Sequence, residues 1–97
     1  MPKGYWIATV DVHNVEIYDK YRAANAKPFA DFGARFLVRG GTQQVREGKM
    51  RARTVVLEFA SYADAVACYE SPAYQRAKDI RLNVADGSLV IVEGYDS

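Results

Sequence analysis

Apolar and polar residues alternate along four short stretches of the chain. This is the pattern of β-strands, because successive side chains of a strand point to opposite faces of a sheet. The stretches cover residues 4–12, 35–39, 53–59 and 88–95. In each stretch one set of alternate positions is wholly apolar, whereas the other set is apolar but interrupted by charges. In the first stretch, for example, Trp6 and Val10 belong to the wholly apolar set and Asp11 to the mixed set. The pattern therefore predicts a sheet with two different faces.

The wholly apolar sets predict which strand residues lie beneath helices. They are Trp6, Ala8, Val10 and Val12, then Phe36 and Val38, then Val55, Leu57 and Phe59, and finally Val90 and Val92. The mixed face is too apolar to meet water alone and too charged for an ordinary core. It therefore predicts a partner, a ligand, or both.

Helix signals separate the first strand from the second and the third from the fourth. Asn14 is a favourable N-cap for the first helix. Pro28 lacks an amide donor and is expected to break or kink this helix near residues 26–27. Ser61 opens a short helix that ends at about residue 70, and Ser71 caps a further segment whose first helical residue is proline.

The resulting order, βαββαβ, predicts a ferredoxin-like α+β domain with an antiparallel sheet and its helices on one face. Gly40 and Gly41 indicate a bulge or sharp bend. Residues 42–46 are expected to continue the second strand to a turn at 47–49. A chain of 97 residues has the size of one domain, so residues 1–97 are assigned to a single unit.

Composition narrows the classes of protein. Apolar residues make up 49%, which is typical of a globular chain, and 13 basic against 12 acidic residues leave a net charge of +1. No global field therefore attracts nucleic acid or an anionic membrane. Cys68 is the single cysteine, which is typical of a reducing compartment. Without a signal sequence or an apolar run near the roughly 20 residues that span a bilayer, the chain is expected to be cytoplasmic.

The positive charge around the predicted hairpin does not change that picture. Its members are Arg46, Lys49, Arg51 and Arg53. A nucleic-acid surface needs broader basic coverage with interleaved aromatic residues. This run is therefore interpreted as a solvated hairpin tip, and no nucleic-acid partner is expected.

Five stretches resemble a small bacterial family known only as domain of unknown function 1330. They are GYWIA at 4–8, FLVRGG at 36–41, VVLEF at 55–59, YESPAYQ at 69–75 and LVIVEG at 89–94. They cover nearly the whole chain. The family is similar in fold to the dimeric α+β barrels, in which two ferredoxin-like sheets close face to face. The resemblance therefore implies a homodimer through the mixed face. Related barrels include cofactor-free monooxygenases, isomerases of small aromatic acids, haem enzymes and stress proteins, so the fold does not select an activity.

His13 and Arg39 are the candidate catalytic residues. His13, the single histidine, is predicted at a strand–helix corner, where imidazole can act as a general base; an exposed loop residue is the commoner interpretation. Arg39 precedes the glycine pair, and a bend there would direct its guanidinium into a cavity to bind a carboxylate. The favoured alternative is an ion pair with a carboxylate on the same sheet face.

Three carboxylates, Asp11, Glu58 and Glu93, are expected to lie close together on the mixed face. Clustering can raise the pKa of one carboxyl and create an acid–base residue. The favoured alternative is neutralisation by Arg35 and Arg39 across the dimer interface. Nothing in the spacing of the carboxylates indicates a metal site, and no metal or other cofactor is expected.

Aromatic residues on the predicted helices and the first strand supply a candidate pocket. Trp6, Tyr18, Tyr74 and the amide of Asn25 are expected to line a space between helix and sheet that accepts a small, flat organic molecule. The alternative is an ordinary core in which the tyrosine hydroxyls reach water.

These residues lead to two functional hypotheses. The first is an enzyme or binder that acts without metal or nucleotide on a small aromatic or acidic metabolite, with Arg39 binding its anionic group and His13 as base. The second is a non-catalytic dimeric binding or stress-associated protein whose polar sheet residues serve assembly only. A cavity of several hundred Å3 with Arg39 or His13 at its wall would favour the first, and a solid interior the second.

Overall fold

The computed structural model describes residues 2–95 and confirms the ferredoxin-like order of elements. The strands are β1 (Gly4–Val12), β2 (Arg35–Arg39), β3 (Arg53–Phe59) and β4 (Ala85–Glu93), and the helices are α1 (Val15–Asp31), α2 (Tyr62–Glu70) and α3 (Pro72–Arg81). The strands form a four-stranded antiparallel sheet in the order β2-β3-β1-β4. None of the helices within residues 2–95 combines the length and apolar character that a bilayer crossing requires.

The helices pack on one side of the sheet, which we call the covered face, and leave the other side as the open face. Trp6 on β1 is the centre of the core and is only 2% exposed. Its ring centroid lies 4.8 Å from that of Tyr74 on α3 and 5.3 Å from that of Phe29 on α1. Its indole N–H donates to the carbonyl of Ala65 on α2 at 2.8 Å. One side chain thus joins all three helices to the sheet.

The predicted helix caps are present. The side chains of Asn14, Ser61 and Ser71 each accept a hydrogen bond from the backbone amide three residues further along the chain. The predicted break at Pro28 is wrong, because α1 continues through it to Asp31. Pro28 stands only three residues before the helix end and is fully buried, so apolar packing offsets the missing amide bond.

The prediction for β4 assigned the wrong residues to the covered face. The antiparallel register places Leu89 opposite Ala8 and Ile91 opposite Trp6, and both pack against the core. Val90 and Val92 instead lie on the open face, where they are 53% and 40% exposed. Residues 89–92 are all apolar, so their own sequence carries no information on which face each one occupies.

A bulge in β2 also changes the predicted faces. Phe36 is opposite Leu57, but Val38 is opposite Val56, so the ladder shifts register at residue 37. Val38 therefore lies on the open face rather than beneath the helices, and Arg39 moves to the covered face. The expected continuation of the strand at 42–46 is wrong. The chain leaves the sheet at residue 40, whose φ is +70°.

Candidate functional site

A cavity of about 450 Å3 lies between the helices and the covered face. The sheet register arranges its floor in three rows across the strands. The first row is Phe36–Leu57–Trp6–Ile91, the second Arg39–Val55–Ala8–Leu89, and the third Arg53–Val10–Gly87. The floor is thus apolar in its middle and cationic at the side of β2 and β3.

Small residues in the floor explain why the cavity is open. Ala8 is the central residue of β1 in the floor, between Trp6 and Val10 on the same face. Those neighbours are 2% and 5% exposed, whereas Ala8 is only partly buried. Protein interiors are normally filled to crystal-like density. A methyl side chain at Ala8 and the absence of a side chain at Gly87 leave space that larger residues would occupy.

The roof comes mainly from α1, with further residues from α2 and α3. The residues from α1 recur at the spacing of a single helix face; they are Tyr18, Tyr21, Arg22, Asn25 and Phe29. Asn25 is only 5% exposed, and its side-chain amide has no hydrogen-bond partner among residues 2–95. Its donor and acceptor are therefore available to a molecule in the cavity.

The cavity wall is strongly basic. Among the residues that the structure describes, five cationic side chains and no carboxylate line it: Arg22, Arg39, Arg53, Lys78 and Arg81. Within residues 2–95, Arg22 alone of these five has a carboxylate within 4 Å, that of Asp19. Since the whole chain carries a net charge of only +1, the cavity concentrates positive charge, and it favours anionic molecules.

Aromatic rings support three of these cations. The Arg39 guanidinium carbon lies 4.1 Å from the Phe36 ring centroid. Lys78 Nζ lies 5.6 Å from the ring of Tyr69, and the Arg81 guanidinium carbon 5.4 Å from that of Tyr21. Cation–π contacts hold each charge in place without neutralising it. The cations therefore stay available to an anion.

The tyrosines of the site act as neutral hydrogen-bonding groups. The hydroxyls of Tyr21 and Tyr74 lie 2.9 Å apart. The pKa of Tyr74 is raised, mainly by burial and to a smaller extent by the neighbouring Tyr21. Burial and Tyr21 also raise the pKa of Tyr18, although Arg53 and Arg81 act in the opposite direction. At neutral pH both groups keep their protons.

The structure brings together most of the predicted pocket residues. Trp6, Tyr18, Asn25 and Arg39 all line the cavity, while Tyr74 is fully buried behind its wall. His13 lies elsewhere, at the exposed corner after β1. Its Nε2 is 2.8 Å from Oδ2 of Asp86, so it does not reach the cavity.

The expected cluster of carboxylates on the open face is not formed. Glu58 is opposite Tyr5 and accepts a hydrogen bond from the Tyr5 hydroxyl at 3.1 Å. Asp11 lies six residues further along β1, about 20 Å away, within 3.7 Å of Arg51. Glu93 is in phase with the covered face at the end of β4, because the register places it opposite residue 4. Among residues 2–95 no group of three histidine, cysteine or acidic side chains is placed to hold a metal ion.

Three arginines of the cavity were not identified from the sequence, Arg22, Arg53 and Arg81, although the last two carried a recognisable signal. Arg53 was assigned to a solvated hairpin tip, but it begins β3 in phase with Leu57 and enters the cavity wall. Arg81 follows Tyr74 by seven residues and Ala77 by four, so it occupies the buried side of α3. For Arg53 and Arg81 the signal in the sequence was a basic residue at the same strand or helix spacing as the buried apolar residues.

The buried thiol of Cys68 gives a prediction on pH. Burial raises its pKa from 9.0 to about 12. Between pH 9 and 12 the native state therefore keeps the thiol proton while the unfolded chain loses it. The contribution of the thiol to stability is complete below pH 9 and is lost as the pH rises toward 12. Above pH 9 the unfolding free energy should fall more steeply for the wild type than for Cys68→Ala, by about 1.4 kcal/mol per pH unit. Urea unfolding from pH 8 to 10.5 measures the slope for each protein. The tyrosines contribute equally to the two slopes, so they cancel in the comparison. Equal slopes would contradict the prediction.

The fold and the cavity define a ferredoxin-like α+β domain with an internal, basic pocket. The chain belongs to a family described as domain of unknown function (DUF1330), whose model matches residues 3–95. The predicted resemblance is thereby confirmed. No curated protein matches the sequence.

Solved structures with the same fold have diverse descriptions. A protein of unknown function from Rhodopseudomonas palustris is 17% identical, with a TM-score of 0.76 over 99% of this chain and 85% of its own. A dimeric ferredoxin-like protein of unknown function from Jannaschia sp. CCS1 is 16% identical, with a TM-score of 0.70 over 97% and 99%. SnoaB, a cofactor-independent oxygenase from Streptomyces nogalater, is 11% identical, with a TM-score of 0.63 over 100% and 97%. At these identities the likeness shows the fold.

Proposed function

We propose that this protein binds a small, flat organic anion in the cavity and acts on it, or carries it, without metal or nucleotide. The observation that carries the proposal is the wall itself, in which residues 2–95 contribute five cations and no carboxylate around an apolar floor. A cavity of about 450 Å3 falls within the usual size of small-molecule sites, roughly 300–1,000 Å3.

The chemistry of the wall specifies the ligand class. Arg81 is half-buried against the ring of Tyr21, whereas Arg39 is exposed over Phe36, and each guanidinium can bind an anion. Flat rings pack well against Trp6 and Phe36, with the amide of Asn25 as a further polar contact. We assign anion binding to Arg39 among the residues recognised from sequence. His13 lies outside the cavity, so the ligand contacts come from the other residues.

The same pocket serves an enzyme or a carrier. SnoaB is described as a cofactor-independent oxygenase, and it supports the possibility of catalysis on this fold without a cofactor. The alternative, a non-catalytic binding or stress-associated protein, would bind the same class of ligand without turnover. The buried, unpaired thiol of Cys68 supports a reducing compartment, and we propose the cytoplasm.

Filling the cavity tests the proposed function. Ala8→Leu places three extra carbons over the floor, and we expect it to weaken the binding of benzoate or salicylate at least tenfold by occupying their space. Isothermal titration calorimetry measures the affinity, and Ala23→Leu on the exposed side of α1 is the matched control. If the wild type binds no small aromatic carboxylate, or if Ala8→Leu binds as well as the wild type, the proposed function is wrong.

We also propose that two copies associate through the open face. Four β-branched apolar residues form a row across it, Val38–Val56–Ile7–Val90. Val38, Ile7 and Val90 are 40%, 39% and 53% exposed. Exposed apolar rows of this kind mark interfaces. The Jannaschia protein of the same fold is described as dimeric, which supports a second copy as the occupant.

A further inference from the structure

We infer that Arg53 and Tyr18 form an oxyanion subsite at one end of the cavity, to which Arg81 adds positive charge from the opposite side of the floor. This subsite holds the carboxylate of the ligand, while the ring of the ligand lies over Ala8 toward Trp6. The inference rests on the proposed function and deepens it, because it states how the ligand is oriented and which group is recognised.

The sheet register brings the two arginines to the same row of the floor. Arg53 on β3, Val10 on β1 and Gly87 on β4 form one row of the floor. Neighbouring strands are about 4.8 Å apart, so the row is about 10 Å wide. Arg81 reaches it from α3, with its Nη1 only 3.5 Å from where a Cβ would stand on Gly87. The Arg53 guanidinium leans toward Gly40 on the β2 side, whereas that of Arg81 lies over Gly87 on β4. The two guanidiniums therefore reach the cavity from opposite ends of this row, and an oxyanion beside Arg53 is also attracted by the charge of Arg81.

Tyr18 closes the subsite from above. It lines the cavity from the first turns of α1, and its ring centroid is 5.3 Å from that of Tyr21, on which Arg81 stacks. Both arginines act on the Tyr18 hydroxyl electrostatically, although burial remains the dominant influence on its pKa. A neutral hydroxyl between two guanidiniums is a donor for an oxyanion rather than a base.

Within residues 2–95 the arginines of the subsite have tyrosine neighbours but no acidic partner. The Nε of Arg53 is buried without a hydrogen-bond acceptor, and no carboxylate lies within 4 Å of either guanidinium, among residues 2–95. A buried donor left unpaired is costly, and a carboxylate that accepts from Arg53 removes the cost. Arg39 lies one row away over Phe36 and adds positive potential without belonging to this subsite.

The absence of a side chain at Gly40 leaves room for the guanidinium of Arg53. A Cβ on Gly40 would stand 2.8 Å from the guanidinium carbon of Arg53, so a side chain there would push the guanidinium away. Gly40 also has a φ of +70°, and Gly48 shares this conformation with nothing within 4 Å of its Cβ position. Replacing either glycine by alanine has the same backbone cost, but only the substitution at Gly40 disturbs Arg53. Comparing the two variants therefore isolates the effect on Arg53.

Probes that share a ring but differ in charge test the subsite. Benzoate, the neutral benzamide and phenyl phosphate are titrated by calorimetry into the wild type, Arg53→Gln and Arg81→Gln. We expect the wild type to prefer benzoate over benzamide at least tenfold, and each variant to lose that preference while keeping its affinity for benzamide. Arg76→Gln, an exposed charge loss on the same helix, should behave as the wild type. Tighter binding of phenyl phosphate than of benzoate would support the subsite and identify a phosphoryl group as its preferred oxyanion.

The remaining outcomes overturn the inference. Equal binding of benzoate and benzamide by the wild type, or an unchanged preference in both variants, removes the subsite but leaves the pocket in place. Binding of none of the probes removes the proposed function as well. Should the arginine variants fail to fold, Gly40→Ala replaces them: it should lose benzoate preference at least tenfold relative to Gly48→Ala, and equal preference in these two variants would also count against the subsite.

Discussion

Replacing Val90 by aspartate is expected to convert the proposed dimer into a folded monomer. Val90 is 53% exposed and lies directly opposite Ile7 on the open face. Two-fold symmetry would place the new carboxylate in the interface twice. Each buried, unpaired charge costs several kcal/mol, so the dissociation constant should rise by several orders of magnitude, while the fold is kept because Val90 lies outside the core.

Light scattering coupled to size exclusion at micromolar concentration measures this change. Val15→Asp is the matched control, because Val15 is 65% exposed at the start of α1 and belongs to the helical side of the domain. We expect the control to remain dimeric. A monomeric wild type would contradict the proposed dimer, and dissociation by Val15→Asp alone would move the interface to the helical side.

Replacing Gly4 by alanine should lower the free energy of unfolding by about 3 kcal/mol. Gly4 begins β1 beneath the start of α2, and a Cβ there would stand 2.6 Å from the Cα of Tyr62 and 2.7 Å from the carbonyl carbon of Ser61. These are backbone atoms, so no rotation of a side chain relieves the clash. The first strand and the second helix would have to separate.

Urea unfolding of Gly4→Ala beside Gly41→Ala tests this close approach. Gly41 has nothing within 4 Å of its Cβ position and no positive φ, so its substitution carries only the ordinary glycine-to-alanine effect. We expect the midpoint of Gly41→Ala to stay near that of the wild type. Equal midpoints for the two variants would show that β1 and α2 do not pack as closely as described.

Local signals in the sequence were sufficient for the elements and their order. Asn14, Ser61 and Ser71 each bond an amide only three residues away, so the information that begins each helix is contained in a few neighbouring residues. The spacing of Tyr18 and Asn25 likewise placed both on the inner side of α1, and both line the cavity. Helix periodicity is therefore a dependable guide to the roof of the site.

The floor of the site required information from distant strands. Leu89 and Val90 are both apolar, so hydrophobicity does not distinguish them. Only the pairing of β4 with β1 decides which of the two side chains faces the helices. The bulge at residue 37 carries Arg39 to the covered face, where a strict alternation would place it on the other. Arg53 was overlooked because a basic residue in phase with a core is usually interpreted as solvated.

The sequence by itself determined the βαββαβ order, the helix caps and a sheet with one apolar face and one mixed face, because these follow from propensities and periodicities over a few residues. The tertiary structure decided the register of β4, the bulge in β2 and the gathering of cations around Ala8. Pairing between segments far apart in the chain sets which side chains share a row, and only that pairing turns scattered arginines into one basic cavity.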